Sequence, residues 1–470
     1  VFTGAVLLGG AVEFNTNAGG GGNITFSSTV RSTGGDARNL TLVAGSGNIV
    51  FTGIVGGGGG TNPLGAIAIS NAADVTALAI SAASVTQSAG TGTTTLGGVV
   101  TTTSSGVVNL TAATITQSNA IVSDGVVTLV GATTSTANIT TTADNIVFTG
   151  AVLLGANVEF NTNAGGIGNI TFSSTVRSTG SARNLTLVAG GGNIVFGGIV
   201  GGGGGTNPLG ALLISNAGDV NAVDVTAASV TQSAGTGRTT LAGTVTTTSS
   251  GVVNVTATNI TNSGAIVSDG VVTLVGAITS SANITTTADN IIFTGAVLLG
   301  ANVEFNTNAG GIGNITFSST VRSTGSARNL TLVAGGGNIV FGGIVGGGGG
   351  TNPLGALLIS NAGDVNAVDV TAASVTQSAG TGRTTLAGTV TTTSSGVVNV
   401  TATNITNSGA IVSDGVVTLV GAITSSGNIT TTADNIIFTG AVLIADASQF
   451  STDAGGIGNI TFSTTVRSTG

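Results

Sequence analysis

The sequence predicts an all-β chain wound as a right-handed parallel β-helix, a β-solenoid with coils of about 19–24 residues and no helices. Three observations carry this prediction. The chain repeats itself every 145 residues: 147–291 matches 292–436 at every position but two, Val147 against Ile292 and Ala282 against Gly427. Short apolar–x–apolar runs recur between turn residues, the alternation of half-buried strands. The phenylalanines return at the interval of one coil. Residues 1–146 form a first, more diverged repeat with one extra residue near Asp36, and 437–470 begin a fourth. The four segments read as one continuous solenoid, part of a longer chain.

In the repeat 147–291 the strands follow one grammar. Asn145-Ile146-Val147-Phe148, Asn157-Val158-Glu159-Phe160, Asn169-Ile170-Thr171-Phe172, Asn184-Leu185-Thr186-Leu187 and Asn193-Ile194-Val195-Phe196 each place an asparagine before two apolar residues that flank an outward one. Glu159, and Asp224 between Val223 and Val225, are therefore expected to face solvent. Val253-Asn254-Val255, Val272-Thr273-Leu274 and Asn283-Ile284-Thr285 continue the pattern with smaller side chains. Phe148, Phe172 and Phe196 are spaced by 24, as are Phe293, Phe317 and Phe341. Rings at one coil's interval stack about 4.8 Å apart and form a core ladder. Phe14, Phe160, Phe305 and Phe450 fall halfway between, which predicts a second wall on the opposite side. Further on the spacing shortens to 19 (Val255 to Leu274) and 18 (Ile266 to Ile284), so 145 residues divide into six or seven turns.

Composition narrows the class. With 81 glycines but no Gly-X-Y period the chain is not collagen, and at 41% hydrophobic it is too apolar for a disordered segment. Its net charge of −8 includes nine arginines and no lysine, which leaves no basic patch for nucleic acid. No apolar run reaches the ~18 residues of a membrane helix. Without histidine or cysteine a zinc site is excluded, and Gly190-Gly191-Gly192-Asn193 has the glycines of a calcium-binding roll but no carboxylate. No cofactor is expected.

Three motifs imitate chemistry. Glycines 201–205, before Thr206-Asn207-Pro208, lack the lysine of a phosphate-binding loop and read as a surface loop, with copies at 56–65 and 346–355. Gly56, Gly60, Gly201, Gly205, Gly346 and Gly350 are candidates for lateral contacts between fibres. Asn-x-Thr triplets such as Asn169-Ile170-Thr171 and Asn254-Val255-Thr256 match a glycosylation sequon. The preferred reading is structural: asparagine suits a left-handed turn opening each strand, its amide bonding to the asparagine of the next coil. Threonine runs such as Thr246-Thr247-Thr248 and Thr285-Thr286-Thr287 do not recur at one azimuth, as an ice-binding face requires.

Gly168-Asn169-Ile170-Thr171-Phe172, Asn184-Leu185-Thr186-Leu187-Val188-Ala189-Gly190, Gly192-Asn193-Ile194-Val195-Phe196 and Val230-Thr231-Gln232-Ser233-Ala234-Gly235-Thr236-Gly237 give the chain its style. In this it resembles bacterial exoproteins of the filamentous-haemagglutinin-like type, a family of β-solenoid adhesin repeats. The resemblance spans the whole chain and implies a secreted right-handed β-helix, extracellular or at the cell surface, acting as adhesin or fibre. The family's N-terminal secretion domain is not visible.

The function expected is a non-enzymatic extracellular structural fibre or adhesin stalk. Its partners would be copies of itself, and a cell surface or neighbouring cells engaged through domains outside this chain. The alternative is a carbohydrate-binding or carbohydrate-active β-helix protein. Against an enzyme stands the triplication of nearly every acid and arginine, since one active site is not made by copying everything.

Overall fold

The computed structural model describes residues 1–57, 62–164, 166–202, 207–309, 311–347 and 352–469. They form two compact units, Val1–Thr239 and Thr240–Gly470, a division that falls inside the second repeat. Each unit is a β-solenoid of short parallel strands, and the first also holds a three-residue 3-10 turn at Asn17–Gly19.

Each coil of the first unit has three faces, because three strand segments are followed by three corners before the chain lies over itself. Face A runs from Phe2 over Phe26, and from Ile49 over Val75, Thr94, Ile115 and Thr133 to Val152. Face B runs from Val6 over Val30, Val55, Ile80, Val100, Ile121 and Ile139 to Phe160. Face C runs from Val12 over Leu40, Ile67, Val85, Val108 and Val127 to Ile146. The widest step between successive partners is from Val12 to Leu40, and the narrowest are the equal steps from Ile67 to Val85, Ile115 to Thr133 and Ile121 to Ile139. The wide coils are those with corner loops.

This path settles how the repeat meets the coil. Phe2 stands on face A; six coils further on, face A has reached Thr133, while Phe148, the counterpart of Phe2, stands two faces later on face C. One repeat therefore spans six and two-thirds turns, neither six nor seven. Phe148 lies on the face that Phe14 occupied one repeat earlier. The second unit behaves alike: Phe438 lies on the face that carries Phe305.

Strands such as Ile146–Phe148, Ile170–Phe172 and Ile194–Phe196 bury their first and third residues and turn the second outward. Glu159 is half-buried and Asp224 exposed, but Val223 is corrected: it sits half-buried in a bend before Val225–Gln232, not inward in a strand. Each coil stacks its apolar residues on those above and below, so burial at about 25 cal/mol per Å² of apolar surface accumulates along the axis.

Candidate functional site

The interior is filled first by the aromatic ladder. Phe148, Phe172 and Phe196 stack with centroids 5.1 and 5.2 Å apart, and Phe293, Phe317 and Phe341 with 5.0 and 5.2 Å. In-register pairing of parallel strands sets each ring over the last, with planes within 9°. The expectation of a separate second wall is corrected. Phe160 comes from another face, but its ring meets Phe148 at 5.0 Å and Phe172 at 6.0 Å. The cross-section is narrow enough for rings from two faces to touch, so Phe148, Phe160, Phe172 and Phe196 form one cluster, which is structural.

Asparagines line the corners. The Oδ1 of Asn145 accepts the backbone N–H of Asn169 at 2.7 Å, and that of Asn169 accepts from Asn193 at 2.7 Å. Asn193 accepts from Asp219 at 2.8 Å, and Asp219 from Arg238 at 2.7 Å. Asn290, Asn314, Asn338 and Asp364 repeat the arrangement in the second unit. The ladder thus runs from side chain to backbone. The left-handed turn expected at these asparagines is corrected: among the asparagines of the described residues only Asn62, Asn207 and Asn352, in the Thr-Asn-Pro loops, have positive φ. A corner that already directs its N–H along the axis needs no inversion of the chain, only an acceptor, which the amide supplies. Asn169 of the sequon is one of these acceptors, whereas Asn254 is exposed on a strand.

Carboxylates do the same work. Asp124 accepts from the N–H of Ser105 at 2.7 Å, Asp269 from Ser250 at 2.6 Å and Asp414 from Ser395 at 2.5 Å. Each of these serines follows another, and both have φ near +60°. Successive N–H groups in such a turn form a concavity for an anion, here filled by the carboxylate of the next coil. Among the described residues no three acidic side chains converge on a site for a metal ion.

The candidate glycine loops divide. Gly60, Gly205 and Gly350 lie outside the described residues. Gly56, Gly201 and Gly346 are buried, with φ of +82°, +80° and +80°. A Cβ on Gly201 would run into the carbonyl oxygen of Thr226 in the following coil. These three close the coil against its neighbour, where only glycine permits both the conformation and the approach.

On the outside, one feature escaped the sequence reading. A trough of about 460 Å³ crosses the outer face of the second unit between Arg383 and Arg467. The available signal was that Thr93 of the first repeat is replaced by arginine in the later ones, at Arg238 and Arg383.

Comparison of the chain with protein-family models, curated proteins and solved structures gives no match. Among the described residues no helix is long and apolar enough to cross a membrane. The fold itself defines the class, a tandem-repeat β-solenoid.

Proposed function

We propose that the chain is a non-enzymatic structural fibre or adhesin stalk of the filamentous-haemagglutinin-like type, working outside a bacterial cell. The observation that supports this reading is the mismatch of repeat and coil. The repeats keep the ring stack and the asparagine ladder, yet each repeat turns its surfaces to a different side. A function resting on one aligned site per repeat would require a whole number of turns. What such duplication extends unchanged is the length of the stack, and length is the property a stalk needs.

The partners on this reading are copies of the same chain, meeting side by side, and a surface reached at the far end of the stalk. The test is to isolate the native chain from the producing cells and image it. Thin unbranched filaments at the cell surface are the expected result. A compact particle of 44.4 kDa found only inside the cell would overturn the reading.

A further inference from the structure

We propose that the outer face from Arg383 to Arg467 binds a linear, carboxylate-bearing polysaccharide. The inference goes beyond the fibre reading and does not depend on it. Arg383 pairs in register with Asn404 and Asn404 with Ala422; beside them Thr406 lies over Thr424, Thr424 over Leu443 and Leu443 over Arg467. The two arginines stand four coils apart, about 19 Å at the spacing of parallel strands. Between them the trough presents the hydroxyls of Thr406 and Thr424, the amide of Asn404 and the apolar side chain of Leu443.

Charge chooses the ligand. Both arginines are exposed, and the one ion pair among the described residues is Arg38 with Asp36. Among the described residues neither guanidinium of the trough forms an ion pair. The Oδ1 of Asp364 accepts the backbone N–H of Arg383 at 2.8 Å, which fixes the strand and leaves the planar fork to the outside. Such a fork takes a carboxylate through two parallel hydrogen bonds. Two cationic grips about 19 Å apart with neutral hydroxyls between them suit a sparsely charged polymer rich in hydroxyls. A polynucleotide suits them poorly. It carries a charge about every 1.7 Å along the duplex, while the chain's net charge is −8. Single strands, moreover, require outward aromatic platforms, and none lines the trough.

The two-thirds turn adds a consequence. The corresponding row one repeat earlier, Thr261 over Thr279, Thr279 over Leu298 and Leu298 over Arg322, lies on another face of the second unit, so one straight polysaccharide cannot run along both rows. The first repeat supplies a control: at the place of Arg383 it has Thr93, whose hydroxyl bonds to that of Thr114 at 2.7 Å.

The experiment is equilibrium binding to the full chain of a linear oligosaccharide of mostly neutral sugars with widely spaced uronates, with its methyl ester, a sulfated oligosaccharide and single-stranded DNA as competitors. The uronate is expected to bind, and the double variant Arg383→Ala, Arg467→Ala to bind less of it per chain, with an unchanged melting temperature. Arg383→Lys, which keeps the charge but loses the fork, should fall between, and Thr93→Arg should add binding capacity. Equal amounts bound per chain by wild type and double variant overturn the proposal, as does equal binding of the ester. Preference for the sulfated sugar or for DNA overturns it as well.

Discussion

Around Phe293, Phe317 and Phe341 the interior of the solenoid is aromatic, whereas between Gln377 and Thr431 the same interior holds Gln377, Thr384, Thr392, Asn407, Ser413, Ser425 and Thr431, all buried. The coils differ in parallel. The coil from Phe317 to Phe341 is longer than the one from Val398 to Val417, and that from Ile411 to Ile429 is shorter still. A shorter coil encloses a smaller cross-section, and a stacked ring no longer fits. Small hydroxyl side chains do, provided that their polar atoms are satisfied. Thr392 Oγ1 lies 2.6 Å from the carbonyl of Gly396 and 3.0 Å from Ser413 Oγ, and accepts the N–H of Asp414 at 3.1 Å. Thr384 donates to Gln377 Oε1 at 2.8 Å. The aromatic coils are thus held by area and shape, the short ones by hydrogen bonds placed where a methyl group would leave donors stranded.

The comparison is broken most severely by Phe317→Asp, which buries an unpaired charge between two rings. It should cost several kcal/mol and abolish the protease resistance of its coils in limited proteolysis. Gly346→Ala comes next. It combines a positive φ with a clash against the carbonyl of Thr371, and should lower stability by at least about 2 kcal/mol in thermal unfolding. In the polar coils Thr392→Val keeps the volume and removes the hydroxyl. The N–H of Asp414 and the carbonyl of Gly396 lose a partner, a loss of about 1–3 kcal/mol. A melting temperature unchanged by this variant would show that the hydroxyl network contributes nothing.

A smaller change sharpens the picture in the opposite direction. In the first repeat Gln117 Nε2 reaches three carbonyls at 3.0–3.1 Å and its Oε1 accepts from Ser135 at 2.5 Å. Its counterpart Asn407 is one methylene shorter. Its bonds lengthen to 3.2 Å with Ser425 and 3.4 Å with Gly427, and its Oδ1 is buried without a partner. Asn407→Gln should therefore stabilise by about 0.5–1.5 kcal/mol, and Gln117→Asn destabilise by a similar amount. Chemical denaturation of both variants measures the pair. Smallest of all is Glu159→Gln, outside the ring cluster, expected to lie within about ±0.5 kcal/mol. An effect as large as that of Phe317→Asp would refute the inward–outward assignment.

Much of this was legible in the residues themselves. Apolar–x–apolar triplets name the buried positions, and the even interval between phenylalanines names the ring stack, because in-register parallel pairing converts a sequence period directly into a spatial one. The asparagines were recognisable as a ladder but not in their bonding, since the same side chain serves a left-handed turn or a backbone N–H equally well. Gly201 looked like the edge of a surface loop. Its contact lies a full coil downstream at Thr226, beyond the reach of any local rule. Arg383 carried its signal only in the contrast with Thr93.

By itself, then, the sequence determined the all-β class, the inward and outward residues, the tandem repeat and the stack of rings. Alternation fixes which side of a strand is buried, and near-identity fixes that every repeat folds alike. What only the tertiary structure decided is the phase: six and two-thirds turns to a repeat, rings from two faces meeting in one cluster, and a row from Thr406 to Arg467 whose counterpart from Thr261 to Arg322 lies on a different face of the second unit. The physical reason is that a strand's partner is chosen by the length of the loops between them. Coils as unequal as Val12 to Leu40 and Ile115 to Thr133 add up to a rotation that no single spacing in the sequence displays.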